Sequence, residues 1–224
     1  MTNPAAGISL REAAIIAGFG LLIMTIVYLF ADYFVLRSLI VPGDAAATAN
    51  NIMANEERFR MAVCSIIIVI ILDLLVAWAL YVLLMPVNQS LSLLMAWFRL
   101  VYAMIFAFSL IFLVMVLLLL SGADYLTVFE TDQLHAQVMF SLNMFRESWA
   151  IGLVFFGLHL VLLGYLVFKS DYIPPGILGI LLIVAGLSYL VDTVGTVLFP
   201  DFNLPISRIA GGWGGNWCFC SGFC

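Results

Sequence analysis

Met61 to Leu84 is an almost unbroken apolar run of 24 residues that carries one acid, Asp73, at its middle. At about 1.5 Å per residue it makes a helix of about 36 Å, enough to cross a hydrocarbon core of about 30 Å. It is a membrane span. A carboxylate inside a span is destabilising unless it faces a bundle interior and finds a partner, so Asp73 predicts that further helices close around it. The fold class that follows is all-α, a polytopic transmembrane helical bundle.

Composition agrees and excludes a soluble globular domain, because 65% of residues are apolar and only 9% charged, against about 50% and 25% in ordinary proteins. The net charge of −5 comes from 13 acids against 8 bases, with no cluster of Lys and Arg. Nucleic acid is therefore not an expected partner, since phosphate neutralisation needs a basic patch, and a polybasic lipid-binding tail is absent for the same reason. Cys64 lies inside a span and the other three cysteines crowd the last seven residues, which is no disulfide scaffold.

Taken in order, the run Ala13 to Ala31 ends in Asp32-Tyr33-Phe34 rather than a small-x-small cleavage site, so it reads as a retained first span and not a signal peptide. Ser9-Leu10-Arg11-Glu12 has the form of a capping box ahead of it, and the span is predicted over about 11–34. Pro42-Gly43 is a turn dipeptide, and Asp44 before an alanine run predicts an N-capped, non-spanning helix over Ala45 to Met53. Asn55-Glu56-Glu57 opens span two, 61–84, with acids in its first turn, where the helix dipole favours them.

Pro86 and Asn88 mark the next turn, span three is predicted over 91–120, and Ser121-Gly122 stops it. The stretch Asp124 to Glu147 is too polar to span, yet Leu134, Val138, Leu142 and Phe145 recur at helical spacing, which predicts an interfacial helix over about 131–145. Span four is expected over 149–168 and span five, begun by Asp171 and Pro174-Pro175, over 176–199. Residues 1–200 thus form one transmembrane domain, and 201–224 an irregular tail with five Gly and three Cys in its last fourteen residues.

Asn216 to Cys224 can be back-translated so that another frame spells Leu-Val-Leu-Leu-Leu-Trp-Leu-Leu. The expectation is a chain shifted or truncated after about Gly215 from a six-span design. For orientation, the basic residues divide almost evenly between the two sides, while short loops and few acids on the N-terminal side favour a cytoplasmic N-terminus in the cell membrane.

The string Val41-Pro42-Gly43-Asp44-Ala45-Ala46-Ala47-Thr48-Ala49-Asn50-Asn51-Ile52, with Phe59-Arg60, Asp73, Asn88, Arg99 and Ser170-Asp171-Tyr172-Ile173-Pro174, carries a likeness. Over residues 8 to 213 the chain resembles a family of uncharacterised prokaryotic integral membrane proteins, domain of unknown function 4386. The pattern G-D-A-x-x-T-A-x-N-I is its most specific part. The resemblance implies a six-span bundle whose sixth helix would follow Gly212, and it implies no activity, substrate or cofactor.

Two polar groups stand out. Asp73 lies about 16 Å and His159 about 14 Å from the inner ends of spans two and four, and Arg99 enters span three from the same side. The long Arg99 arm can snorkel or reach upward toward Asp73, and a carboxylate, an imidazole and a guanidinium converging at mid-membrane suit a proton relay or a polar-substrate pocket. The plainer alternative is an Asp73–Arg99 pair that fixes helix register, with His159 bonded to a backbone carbonyl. Nearer the opposite face, Asp32, Arg37, Arg60, Arg146 and Asp192 line a vestibule or simply neutralise one another at helix ends. Glu130-x-Asp132-x-x-His135 has the residue types of a metal site, but reads as a solvated helix face, so no metal or cofactor is expected.

No G-x-S-x-G, H-E-x-x-H, P-loop or strand-preceded G-x-G-x-x-G is present. The expected function is therefore non-enzymatic: a bundle in the lipid bilayer that binds or senses an apolar or amphipathic small molecule, or supports another membrane component. The alternative is a proton-coupled small-molecule transporter using Asp73 and His159, with a lipid-processing enzyme third.

Overall fold

The computed structural model describes residues 8–170 and 176–198, and among these every regular element is helical. Among the described residues, besides a single 3-10 turn at Asp124–Leu126, there are six helices: α1 (Leu10–Leu39), α2 (Ala45–Ala54), α3 (Glu56–Leu84), α4 (Gln89–Leu119), α5 (Thr131–Lys169) and α6 (Ile177–Leu198). All but α2 are long and apolar enough to cross a membrane. The protein is a multi-pass membrane protein of all-α class. The predicted helix start at Asp171 and Pro174-Pro175 and the whole tail beyond Leu198, with its proposed frameshift, lie outside the described residues.

Helix boundaries follow local chemistry. Ser9 and Glu12 form the expected capping box: the Ser9 amide donates to Glu12 Oε2 at 2.7 Å and the Glu12 amide to Ser9 Oγ at 3.2 Å. Asn88 Oδ1 accepts from the Leu91 amide at 3.0 Å where α4 begins. Beyond the end of α4, Gly122 takes φ +67°, a left-handed conformation that side chains disfavour.

The segment from Val41 to Ile52 explains itself residue by residue. Gly43 turns the chain at φ +78°, and Asp44 caps α2 by accepting from the Ala47 amide at 2.8 Å. Thr48, fully buried, accepts from the Val41 amide at 2.9 Å and donates to the Val41 carbonyl at 3.1 Å. Asn51 Nδ2 donates to the Leu39 carbonyl at 3.2 Å, tying α2 back to the end of α1.

Two features depart from the expected elements. The predicted interfacial helix over 131–145 and span over 149–168 form one helix, α5, of 39 residues and about 58 Å. Arg146-Glu147-Ser148 reads as a boundary because it is polar, but it holds no helix breaker, so the hydrogen-bond ladder continues. Within α1, Phe30–Leu36 winds as a π-helix, in which the Arg37 amide donates to the Asp32 carbonyl five residues back.

The chain divides into two compact units. Of the described residues, one takes 8–18, Leu74–Tyr102, 150–170 and 176–198, the other Phe19–Asp73 and Ala103–Trp149. The first has a core of Val76, Ala79, Leu84, Met95 and Leu166 with Ala17 against it. There α5 and α6 run antiparallel and meet at glycines: the Gly157 carbonyl lies 2.6 Å from where a Cβ on Gly186 would sit. The second buries Ile52, Phe59, Ile66, Leu113 and Leu142, and Phe106 contacts Tyr28, Phe145 and Trp149 at ring centroid separations of 6.5, 6.4 and 6.1 Å. Ile26, Trp97, Phe108, Ile111 and Leu181 remain exposed, as side chains that meet lipid do.

Candidate functional site

Arg99 stands ten residues into α4, about 15 Å from its start, and His159 ten residues before the end of α5. Their exposures are 1% and 0%. Arg99 Nη1 lies 3.1 Å from His159 Nε2, and His159 Nδ1 lies 3.0 Å from the Met95 carbonyl. A guanidinium carries only donors, so Nε2 must be the acceptor and Nδ1 must hold the proton that it donates to Met95. The imidazole is thereby held neutral in a single tautomer.

Both nitrogens of His159 are spent on one turn of α4, from Met95 to Arg99. Phe156, one turn earlier on α5, stacks with the imidazole at 5.8 Å between centroids and receives Arg99 Cζ 5.8 Å above its ring. Phe156 also meets Tyr102 at 4.9 Å and Tyr189 of α6 at 5.8 Å. The cluster joins α4, α5 and α6 within one unit. Of its two expected placements, Arg99 does not take the outward one: its guanidinium is buried, because a hydrogen-bond acceptor and an aromatic face await it inside. The expected bond of His159 to a backbone carbonyl is the one to Met95; Phe156 was not foreseen, although the i, i+3 spacing of Phe156 and His159 puts them on one helix face.

Asp73 belongs to the other unit and is 1% exposed, at the middle of α3. The carboxyl group is thus shielded from lipid, which is what an acid at mid-span requires.

Of the residues expected near the opposite face, the structure brings three together, and a fourth, Arg60, takes a partner of its own. Asp32, 4% exposed, accepts at Oδ2 from Arg37 Nε at 3.1 Å. Arg146 lies within electrostatic reach of both Asp32 and Arg37. Arg60 instead pairs along α3 with Glu56, at 2.6 Å and largely exposed, an i, i+4 contact worth a few tenths of a kcal/mol. Asp192 sits on α6 in the other unit, partly buried.

Glu130, Asp132 and His135 do not share one solvated face. Glu130 and Asp132 are exposed while His135 is buried. The buried stripe of α5 begins at His135 and continues through Val138, Leu142 and Phe145, so it starts one position later than the expected Leu134. Among the described residues no three His, Cys, Asp or Glu side chains converge as a metal-ligand set.

Comparison with known proteins adds membership but no activity. A family model described as Domain of unknown function (DUF4386) matches residues 16–217. An uncharacterised protein of Archaeoglobus fulgidus is 37% identical over 140 residues, which cover 62% of this chain and 70% of that protein. No solved structure matches.

Proposed function

We propose, for a chain that belongs to the DUF4386 family of unknown function, a non-enzymatic role: a multi-pass bundle that binds an apolar or amphipathic molecule or supports another membrane component. In this reading the Arg99–His159 pair is a structural clamp between α4 and α5. The observation that carries it is the double commitment of His159, whose two nitrogens both bond to the Met95–Arg99 turn. A relay histidine must take up and release a proton at one nitrogen. Here an added proton would break the bond from Arg99 and set two cations face to face.

We further place the protein in the cell membrane with its N-terminus in the cytoplasm, a reading supported by the short loops and few acids on that side. A cysteine introduced at Ser121 in a cysteine-free background then reacts with a membrane-impermeant thiol reagent added to intact cells. Labelling only after lysis would reverse the orientation.

Proteoliposomes under an imposed pH gradient, with a pH-sensitive dye inside, test the clamp against proton-coupled transport. Wild type, Asp73→Asn and His159→Gln vesicles are expected to acidify at the rate of empty vesicles, while His159→Gln lowers the thermal unfolding midpoint. Faster acidification by wild type that Asp73→Asn abolishes would restore the transporter.

A further inference from the structure

The second polar cluster, in the unit formed by Phe19–Asp73 and Ala103–Trp149, carries an unfilled requirement. Asp32 is almost wholly buried, and while Oδ2 accepts from Arg37 Nε at 3.1 Å, Oδ1 has no hydrogen-bond partner among the described residues. A buried acceptor left unmade is destabilising by about 1–3 kcal/mol, and more when charged. The same residue sits in the π-helical segment of α1. Such turns recur where backbone regularity yields to a ligand or a reaction.

Depth and surroundings narrow the ligand. Asp32 lies 22 residues beyond Leu10 along α1, about 33 Å of helix and hence about one bilayer thickness. That places it at the headgroup layer opposite the helix start. Tyr33 and Phe34 beside it are exposed at 61% and 66%, as interfacial aromatic residues are, and Arg37 Cζ lies 5.8 Å over the Tyr33 ring. Two guanidiniums, Arg37 and Arg146, and the Asp32 carboxylate act on one another there, with the Glu147 carboxylate acting on Arg146 as well. A simple cation would meet the arginines and a simple anion would meet the carboxylate, whereas a group carrying both an N–H donor and a phosphate suits both.

We propose that Asp32, Arg37 and Arg146 receive the ammonium–phosphate headgroup of a membrane phospholipid, its N–H donating to Asp32 Oδ1 and its phosphate facing the two guanidiniums. Guanidinium and phosphate match in charge and geometry, and an N–H to carboxylate bond is charge-assisted. The site is separate from the Arg99–His159 clamp, so its failure would leave that reading untouched.

The full-length protein in a neutral detergent is titrated with phosphatidylethanolamine or with phosphatidylcholine of identical acyl chains, and thermal unfolding is followed. The trimethylated headgroup keeps charge and phosphate but has no N–H donor. Half-maximal stabilisation is expected at about tenfold lower phosphatidylethanolamine, the worth of one charge-assisted hydrogen bond, and Asp32→Asn is expected to narrow that preference. Equal response to the two lipids in the wild type overturns the proposal, and this comparison decides even if the variant fails to fold. Stabilisation by soluble phosphoethanolamine as strong as by the lipid overturns the membrane source in favour of a free zwitterion.

Discussion

The Gly179 carbonyl lies 2.6 Å from where a Cβ on Gly164 would sit, and the Gly164 carbonyl lies 2.8 Å from where one on Gly179 would sit. The contact is reciprocal and recurs seven residues along each helix at Gly157 and Gly186, so α5 and α6 approach backbone to backbone. Between apolar helices in lipid, where burial gives little drive to associate, such close approach supplies dispersion and Cα–H···O contacts instead.

Gly164→Ala is therefore expected to destabilise by about 1–3 kcal/mol through overpacking against backbone that cannot yield. Gly18→Ala serves as the control, because Gly18 is helical with open space where its Cβ would go, and alanine favours a helix by about 1 kcal/mol over glycine. Thermal unfolding midpoints in one detergent should fall for the first variant and hold or rise for the second. Equal midpoints for both would mean that α5 and α6 separate without loss.

His159→Leu removes the acceptor that Arg99 Nη1 uses inside the bundle, so a loss of about 2–3 kcal/mol is expected. Arg99→Leu removes the charge itself. The double variant should lose less than the sum of the two single losses, because the second change then removes a group whose partner has already gone. Additive losses in a double-mutant cycle would show that the 3.1 Å contact contributes nothing of its own.

The tautomer is open to direct observation. Nitrogen NMR of labelled histidine in the solubilised protein should show His159 with its proton on Nδ1 and none on Nε2, since Nε2 accepts from Arg99 and Nδ1 donates to Met95. A proton found on Nε2 would place a donor against the guanidinium and remove the basis for the clamp.

Much of the fold was legible because membrane spans announce themselves locally. The run from Met61 to Leu84, the capping box at Ser9 and the stop at Gly122 each act within a few residues, and the structure follows them. The union of 131–145 with 149–168 was not legible, since the polar triplet Arg146-Glu147-Ser148 resembles an end while lacking the Gly or Pro that makes one. Partners were harder still. Arg99 and His159 are 60 residues apart in sequence, and although depth counting set His159 level with Asp73 and put Arg99 at the span end on the same side, only packing decides that the imidazole meets this guanidinium. The π-turn at Asp32 leaves no mark in the sequence, because nothing in Phe30–Leu36 disfavours an ordinary α-helix.

The string by which the chain resembles its family makes a final test of whether that resemblance reports folding. Thr48 is fully buried and its hydroxyl serves both polar groups of Val41, accepting from the amide at 2.9 Å and donating to the carbonyl at 3.1 Å. Thr48→Val has nearly the same shape but removes both bonds, leaving the Val41 amide and carbonyl to find other partners. The expected loss is about 1–3 kcal/mol. Thr48→Ser keeps the hydroxyl and gives up one methyl, for which about 1 kcal/mol is expected. Valine should therefore be the worse substitution although it is the better fit to an apolar site. Hydrogen exchange at the Val41 amide and the thermal midpoint together read the outcome. If serine proves more damaging than valine, packing rather than the paired hydrogen bonds holds α2 to the end of α1.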